Sequence, residues 1–123
     1  MSDPKTIAND YIALWNETDC AARERRLADH WTANANFVDP LATAVGPVEM
    51  SAFIGGVHER FPGYRFALRG EPGGFGDHVR LSWSLGPAGE EPPIEGSDVL
   101  TLKDGRVDAV IGFFDKVPAP QPA

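Results

Sequence analysis

The chain has 123 residues, of which 42% are hydrophobic and 24% are charged, and its formal net charge is -7. This length suits one domain with its own core, and the composition is that of a globular protein rather than a disordered chain. The acidic balance argues against nucleic acid and anionic membranes as partners, because both recruit basic surfaces.

The first predicted helix runs from about residue 3 to residue 17. Its apolar side chains recur at helical spacing, so we expect one buried face, with the phenol of Tyr11 pointing inward. These side chains are Ile7, Tyr11, Leu14 and Trp15. Pro4 suits the first helical position, and Asp3 or Ser2 is the expected N-cap.

A second helix is predicted from about residue 19 to residue 30. Its basic run, Arg23 to Arg26, is interrupted by Glu24, so we expect it on a solvated face rather than at a phosphate site. Cys20 is the only cysteine, which excludes an internal disulfide and is typical of a cytoplasmic protein. The N-terminal residues lack the pattern of a secretory signal, which agrees with that location.

Residues 35–39 are predicted to be extended, and Asp39-Pro40 ends the segment because a residue before proline avoids the helical region. Asp39 is therefore either a base at a pocket mouth or only the turn-forming residue of this dipeptide. A third helix is predicted from Gly46-Pro47 to about Arg60, although Gly55-Gly56 lies in its interior.

The second half of the chain has the twofold period of β-strands. Strands are predicted at about residues 64–69, 79–85, 94–102 and 106–115. Four strands in succession without helices predict an antiparallel sheet with helices on one face, which is an α+β fold that encloses a pocket. The domain is predicted to span residues 1–116, and the proline-rich residues 117–123 are expected to form a flexible tail.

Asp98 is the acidic residue of an otherwise apolar strand face, which it shares with Ile94, Gly96, Leu100 and Leu102. Burial of a carboxylate without a charged partner raises its pKa, so Asp98 is a candidate for proton transfer. The alternative is a bulge at Gly96-Ser97-Asp98 whose carboxylate bonds backbone N–H groups. The three histidines show no metal-ligand spacing, so no metal site is predicted.

Three segments, NDYIALWNETD, NFVDPLATAVG and IEGSDVLTLKDGRVDAV, resemble the SnoaL-like branch of the nuclear transport factor 2-like superfamily, as does the order of elements. The resemblance covers residues 5–115. It implies a cone-shaped barrel, in which N-terminal helices pack on a curved antiparallel sheet around an internal pocket. It specifies the fold more than the reaction, because the superfamily includes several enzyme classes and non-catalytic binding domains.

The ketosteroid isomerase-like branch implies a role for three positions. Tyr11 looks like the oxyanion-hole phenol, Asp39 like the general base and Asp98 like the protonated partner acid. Ile54 stands where that isomerase has a tyrosine that supports the phenol. The cyclase pattern keeps Asp98 as the acid/base but has a histidine that the strand at 79–85 lacks.

These features predict a cofactor-independent acid/base enzyme, of the isomerase or polyketide-cyclase type, acting on a small hydrophobic carbonyl compound. The alternatives are a non-catalytic binding or dimerisation domain and, third, an epoxide hydrolase-like enzyme, for which Arg106-Val107-Asp108 has the Arg-x-Asp spacing. The resemblance to the superfamily also implies a homodimer that forms through the outer face of the sheet. The predicted ligand-binding residues are Trp15, Trp31, Phe37, Phe53, Ile54, Val57, Phe66, Trp83, Leu100 and Phe113.

Overall fold

The computed structural model describes residues 3–118, so Ser2 and residues 119–123 of the predicted tail lie outside the described residues. The described chain forms three helices and seven strands. The helices are α1 (Pro4–Asn16), α2 (Cys20–His30) and α3 (Gly46–Arg60). The strands are β1 (Trp31–Val38), β2 (Thr43–Val45), β3 (Tyr64–Leu68), β4 (Gly73–Phe75), β5 (His78–Pro87), β6 (Ile94–Lys103) and β7 (Arg106–Lys116).

Side-chain caps begin the first two helices at the predicted places. Asp3 Oδ1 accepts a hydrogen bond from Thr6 N at 2.8 Å, and Asp19 Oδ2 accepts one from Ala22 N at 2.9 Å. Each carboxylate thus satisfies a backbone N–H group that has no partner within its helix. None of the described helices combines the length and the apolar character needed to cross a membrane.

The strands form one curved, open sheet in the order β2-β1-β7-β6-β5-β3, with β4 paired to β5. The α+β architecture of helices packed on a curved sheet is confirmed. The sheet is mixed, because β1 runs parallel to β7 while the other pairs are antiparallel. The alternation of apolar and polar residues within a strand does not show which strands pair. It could not predict the pairing of β1 with β7, because these are the first and the last strands along the described chain.

The helices and the sheet bury one apolar core between them. Its most completely buried side chains come from all three helices and from the central strands. They are Leu14, Leu27, Met50, Ile54, Leu81, Leu100 and Val110. Along β6, buried residues alternate with half-buried ones from Ile94 to Thr101, which confirms the predicted inner face that includes Asp98.

Arg23 is buried, which corrects the expectation that the basic run lies on a solvated face. Its side chain is 6% exposed, and it donates from Nε to Ser51 Oγ at 3.2 Å and from Nη1 to the Glu17 carbonyl at 3.0 Å. Arg25 is exposed, and Arg26 pairs with the Glu17 carboxylate. A guanidinium can be buried when neutral oxygens accept hydrogen bonds from its five N–H donors. The charge pattern of the sequence does not show whether such oxygens are near, so it did not predict the burial of Arg23.

On the outer face of the sheet, the side chains of β5 are polar, whereas a row of apolar side chains crosses β1, β7 and β6. The polar residues of β5 are Arg80, Ser82 and Ser84, as predicted. On β7, Ile111 is 51% exposed and lies in register between Val38 of β1 and Val99 of β6. We call Val38, Ile111 and Val99 the outer apolar row.

Asn16, the last residue of α1, holds the edge strand β3 in place. Its Nδ2 donates to the Phe66 carbonyl at 2.9 Å, and its Oδ1 accepts from the Phe66 N–H at 2.8 Å. The side-chain amide therefore bonds both backbone groups of Phe66 as a neighbouring strand would. This contact joins the end of α1 to the sheet.

Replacement of Asn16 by alanine is expected to lower the free energy of unfolding by about 2 kcal/mol, because two backbone groups of Phe66 lose their partner. Urea denaturation followed by circular dichroism measures the change. Asn34→Ala is the control, because Asn34 is exposed in β1 and its side chain bonds nothing in the described chain. Equal stability of the two variants would contradict this role for Asn16.

Candidate functional site

A cavity of about 230 Å³ lies between α1, α3 and the sheet. Its wall is mostly apolar, with two carboxyl groups and one phenol set into it. These belong to Asp98, Asp39 and Tyr11, the three residues predicted to be catalytic. They come from β6, from the turn after β1 and from α1, and the fold brings them to the wall of one cavity.

Most residues predicted to bind a ligand also line this cavity. They are Trp15, Phe37, Phe53, Val57, Phe66, Trp83 and Phe113. Trp31, Ile54 and Leu100 lie outside the lining and belong to the buried core. Ile54 and Leu100 are wholly buried, and the ring of Trp31 stacks on Tyr11 with centroids 6.2 Å apart. Helical and strand periodicity identifies a buried face but not which of its side chains borders a void.

Asp98 accepts hydrogen bonds from two side chains of the cavity wall. Tyr11 Oη donates to Asp98 Oδ2 at 2.5 Å, and Trp83 Nε1 donates to Asp98 Oδ1 at 3.1 Å. These partners are side chains rather than backbone N–H groups, and the segment from Gly96 to Asp98 keeps regular register with both β5 and β7, so the alternative of a bulge at this segment is overturned. Both oxygens of the carboxyl group are held by neutral donors, and the group is 4% exposed.

Burial raises the pKa of Asp98 from 3.8 to about 6, because the apolar wall disfavours the charged form. The hydrogen bonds from Tyr11 and Trp83 oppose this rise, and the negative charge of Asp39 adds to it. Burial also raises the pKa of the Tyr11 phenol well above its ordinary value, with a further contribution from the charge of Asp98. The phenol therefore keeps its proton, and Asp98 can change its charge near neutral pH.

Asp39 shapes the turn that follows β1. Its Oδ1 accepts hydrogen bonds from the backbone N–H groups of Leu41 at 2.8 Å and Ala42 at 2.9 Å, so the turn-forming interpretation holds. The side chain is half-buried and also lines the cavity. Its second oxygen accepts no hydrogen bond from the residues that the structure describes, so Asp39 can form a turn and face a ligand at once.

Two glycines make room for these groups, and neither was predicted to have this role. A Cβ atom at Gly112 would lie 2.9 Å from Asp98 Oδ1 and 3.3 Å from Asp39 Cβ, so this glycine separates the two acidic residues. A Cβ atom at Gly96 would overlap the indole of Trp83. Glycine within an alternating strand signals such close approach, and that signal was present in the sequence.

The lining also contains further residues that were not predicted to bind a ligand. They are Ile12, Leu41, Arg60, Phe61, Leu85, Ile94, Phe114, Val117 and Pro118. The Arg-x-Asp motif lies elsewhere: Asp108 accepts a hydrogen bond from Thr32 Oγ1 at 2.7 Å, and neither Arg106 nor Asp108 lines the cavity. Within residues 3–118, no cluster of histidine, cysteine and acidic side chains is arranged to hold a metal ion.

A family model described as the SnoaL-like domain matches residues 8–110. No curated protein sequence matches the chain. Among solved structures, a proposed isomerase of the SnoaL-like family from Agrobacterium tumefaciens is 40% identical, with a TM-score of 0.86; the match covers 89% of this chain and 95% of that one.

Two more distant structures share the fold. A proposed ketosteroid isomerase from Kribbella flavida is 18% identical over 98% of this chain and 83% of its own, with a TM-score of 0.69. A proposed SnoaL-like polyketide cyclase from Jannaschia is 19% identical over 98% of both chains, also with a TM-score of 0.69. At this identity the likeness concerns the fold alone.

The raised pKa of Asp98 predicts that stability depends on pH. The Asp98 carboxyl group binds its proton more tightly in the folded state than in the unfolded chain. The protonated group therefore adds to the free energy of unfolding, fully below about pH 4, and this stabilisation is lost as the pH rises through about 6. The difference between 3.8 and about 6 corresponds to about 3 kcal/mol. Relative to Asp98→Asn, the wild type should therefore lose about 2 to 3 kcal/mol of unfolding free energy between about pH 4 and about pH 8.

Urea denaturation of both proteins across this pH range measures the difference. Asp29→Asn is the matched control, because it removes an exposed carboxylate of α2 that lies outside the cavity lining. A constant difference between wild type and Asp98→Asn would contradict the raised pKa.

Proposed function

Because the chain belongs to the SnoaL-like family, as the three sequence segments predicted, we propose that it is a cofactor-independent acid/base enzyme of the isomerase or cyclase type. Its substrate is a small, mostly apolar carbonyl compound that binds in the cavity. The observation that carries this proposal is Asp98, a buried carboxyl group with a pKa of about 6 in an apolar wall. A pKa near the working pH is what general acid/base catalysis requires.

Asp98 is the proposed proton carrier. At neutral pH it is mostly ionised, and the donors Tyr11 and Trp83 hold it in one orientation. It takes a proton from the carbon next to the substrate carbonyl, and the electron pair of that C–H bond moves to form an enolate. In an unsaturated substrate, return of the proton from Asp98 to another carbon moves the double bond and gives isomerisation. In a substrate with a second carbonyl group, attack of the enolate carbon on that carbonyl carbon gives cyclisation, and the resulting alkoxide takes the proton from Asp98.

Tyr11 is the proposed stabiliser of the enolate. While Asp98 is ionised, the phenol donates to it. Once Asp98 has taken the substrate proton, this acceptor has lost its charge, and the Tyr11 hydroxyl can donate to the enolate oxygen instead. The stabilising hydrogen bond becomes available as the negative charge develops, which is the condition for catalysis by differential binding.

Asp39 is the proposed electrostatic partner of Asp98 rather than the base that the ketosteroid isomerase pattern implies. One of its oxygens already accepts two backbone hydrogen bonds. Its negative charge contributes to the raised pKa of Asp98. In the opposite assignment, Asp39 is the base and Asp98 stays protonated as a donor. The two assignments differ in the direction of their pH dependence.

Proton exchange into a bound ketone tests this proposal. Incorporation of solvent deuterium into 2-decanone, followed by mass spectrometry, should rise as the pH increases through about 6, because Asp98 must be ionised. Asp98→Asn should lower the rate by roughly 100- to 10,000-fold, and Asp39→Asn should reduce it less. Exchange that falls over the same pH range and depends most on Asp39 would support the opposite assignment.

A non-catalytic binding domain is the second candidate, and the hydrogen bonds that occupy Asp39 in its turn favour it. Binding of the ketone can be followed by quenching of the fluorescence of Trp15 and Trp83, which line the cavity. A ketone that binds but gains no deuterium at any pH would support this candidate and contradict the enzyme. Asp29→Asn again serves as the control for a remote carboxylate.

We also propose that the protein is a homodimer, joined through the outer apolar row. Val38 and Ile111 are exposed on adjacent strands, and exposed apolar side chains favour a partner that removes them from water. Light scattering after size exclusion should give twice the mass of one chain. Ile111→Lys should give a monomer, and Ser84→Lys, on the polar side of the same face, should not. A monomeric wild type would contradict the dimer.

A further inference from the structure

Arg60 is the cationic residue in the lining of the cavity. It is the last residue of α3 and is exposed to solvent. No described carboxylate pairs with it. Its guanidinium carbon lies 5.9 Å from the centroid of the Phe61 ring, which also lines the cavity. This contact keeps the positive charge beside the apolar wall.

The register of the sheet shows which end of the cavity Arg60 occupies. The ring of Phe61 packs on Tyr64, with centroids 5.2 Å apart, and Tyr64 pairs with Pro87. Two residues earlier on β5, Leu85 pairs with Ile94 of β6. Arg60 is therefore at the Ile94 end of the cavity. Asp98 is four residues farther along β6, which corresponds to about 13 Å.

The acidic groups lie at the other end. Asp98 pairs with Gly112 across β6 and β7, and Asp39 flanks the same glycine. An anionic group of a ligand is repelled from this end and attracted to Arg60. Between the two ends the lining is apolar, with side chains such as Phe66 and Phe114. The cavity thus has a positive charge at one end and acidic groups at the other.

We propose that the substrate is an amphipathic carboxylic acid, whose carboxylate binds Arg60 and whose apolar body places a carbonyl group at Asp98. This inference rests on the proposed function of the same site. A carboxylate matches one guanidinium through two parallel hydrogen bonds. Phosphate groups usually gather further donors, and the neighbours of Arg60 in the lining are apolar. Because the charges at the two ends of the cavity are opposite, an anionic substrate can bind in only one orientation.

A pair of keto compounds that differ only in charge tests the inference. The probes are 9-oxodecanoate and its methyl ester, which carry a ketone at one end and a carboxylate or a neutral ester at the other. Fluorescence quenching measures the affinity of each probe. The wild type should bind the acid roughly fivefold more tightly than the ester, as expected for an ion pair at an exposed arginine. Arg60→Gln should abolish this preference, and Arg60→Glu should reverse it.

Arg65→Gln is the matched control, because Arg65 is exposed on β3 and lies outside the lining. It should retain the preference of the wild type. An equal affinity for both probes, a preference that survives in Arg60→Gln, or no binding of either probe would overturn the inference.

Deuterium exchange separates this inference from the proposed function. If the wild type prefers the acid through Arg60 but exchanges no protons of either probe, the acid/base chemistry fails and the amphipathic ligand stands. If both probes exchange at equal rates and bind equally, the chemistry stands and the role of Arg60 fails.

Discussion

The hydrogen bond between Tyr11 and Asp98 joins α1 to the centre of the sheet across the cavity. The two residues are far apart in the sequence, so this contact exists only in the folded chain. This hydrogen bond stabilises both buried groups, because the phenol requires an acceptor and the carboxyl group requires donors. The orientation of both side chains at the cavity follows from this one bond.

The apolar surroundings give that hydrogen bond its chemical consequence. In water a carboxyl group is ionised over most of the neutral range, but burial brings the pKa of Asp98 to about 6. The surrounding side chains are largely aromatic, and rings such as Trp15 and Phe66 pack with centroids 5.2 Å apart. Close packing of such rings gives the cavity a stiff apolar wall, in which Asp98 is only 4% exposed.

Periodicity was sufficient to predict the helices, the inward face of Tyr11 and the inner face of β6 that includes Asp98. The convergence of Tyr11, Asp39 and Asp98 on one volume was implied only by the family resemblance, because local patterns do not report distances between remote segments. The pairing of β1 with β7 escaped prediction for the same reason. Arg23 was assigned to the surface because its burial depends on oxygens of Ser51 and Glu17, which lie on other elements.

The parallel pairing of β1 with β7 also determines when the site can form during folding. It closes a loop that contains α3 and the strands from β2 to β6, so its entropic barrier is larger than that of the hairpins. Asp39 follows β1 and Gly112 belongs to β7, and the two are in contact only after this closure. The acidic end of the cavity is therefore expected to assemble late, after the antiparallel part of the sheet has formed.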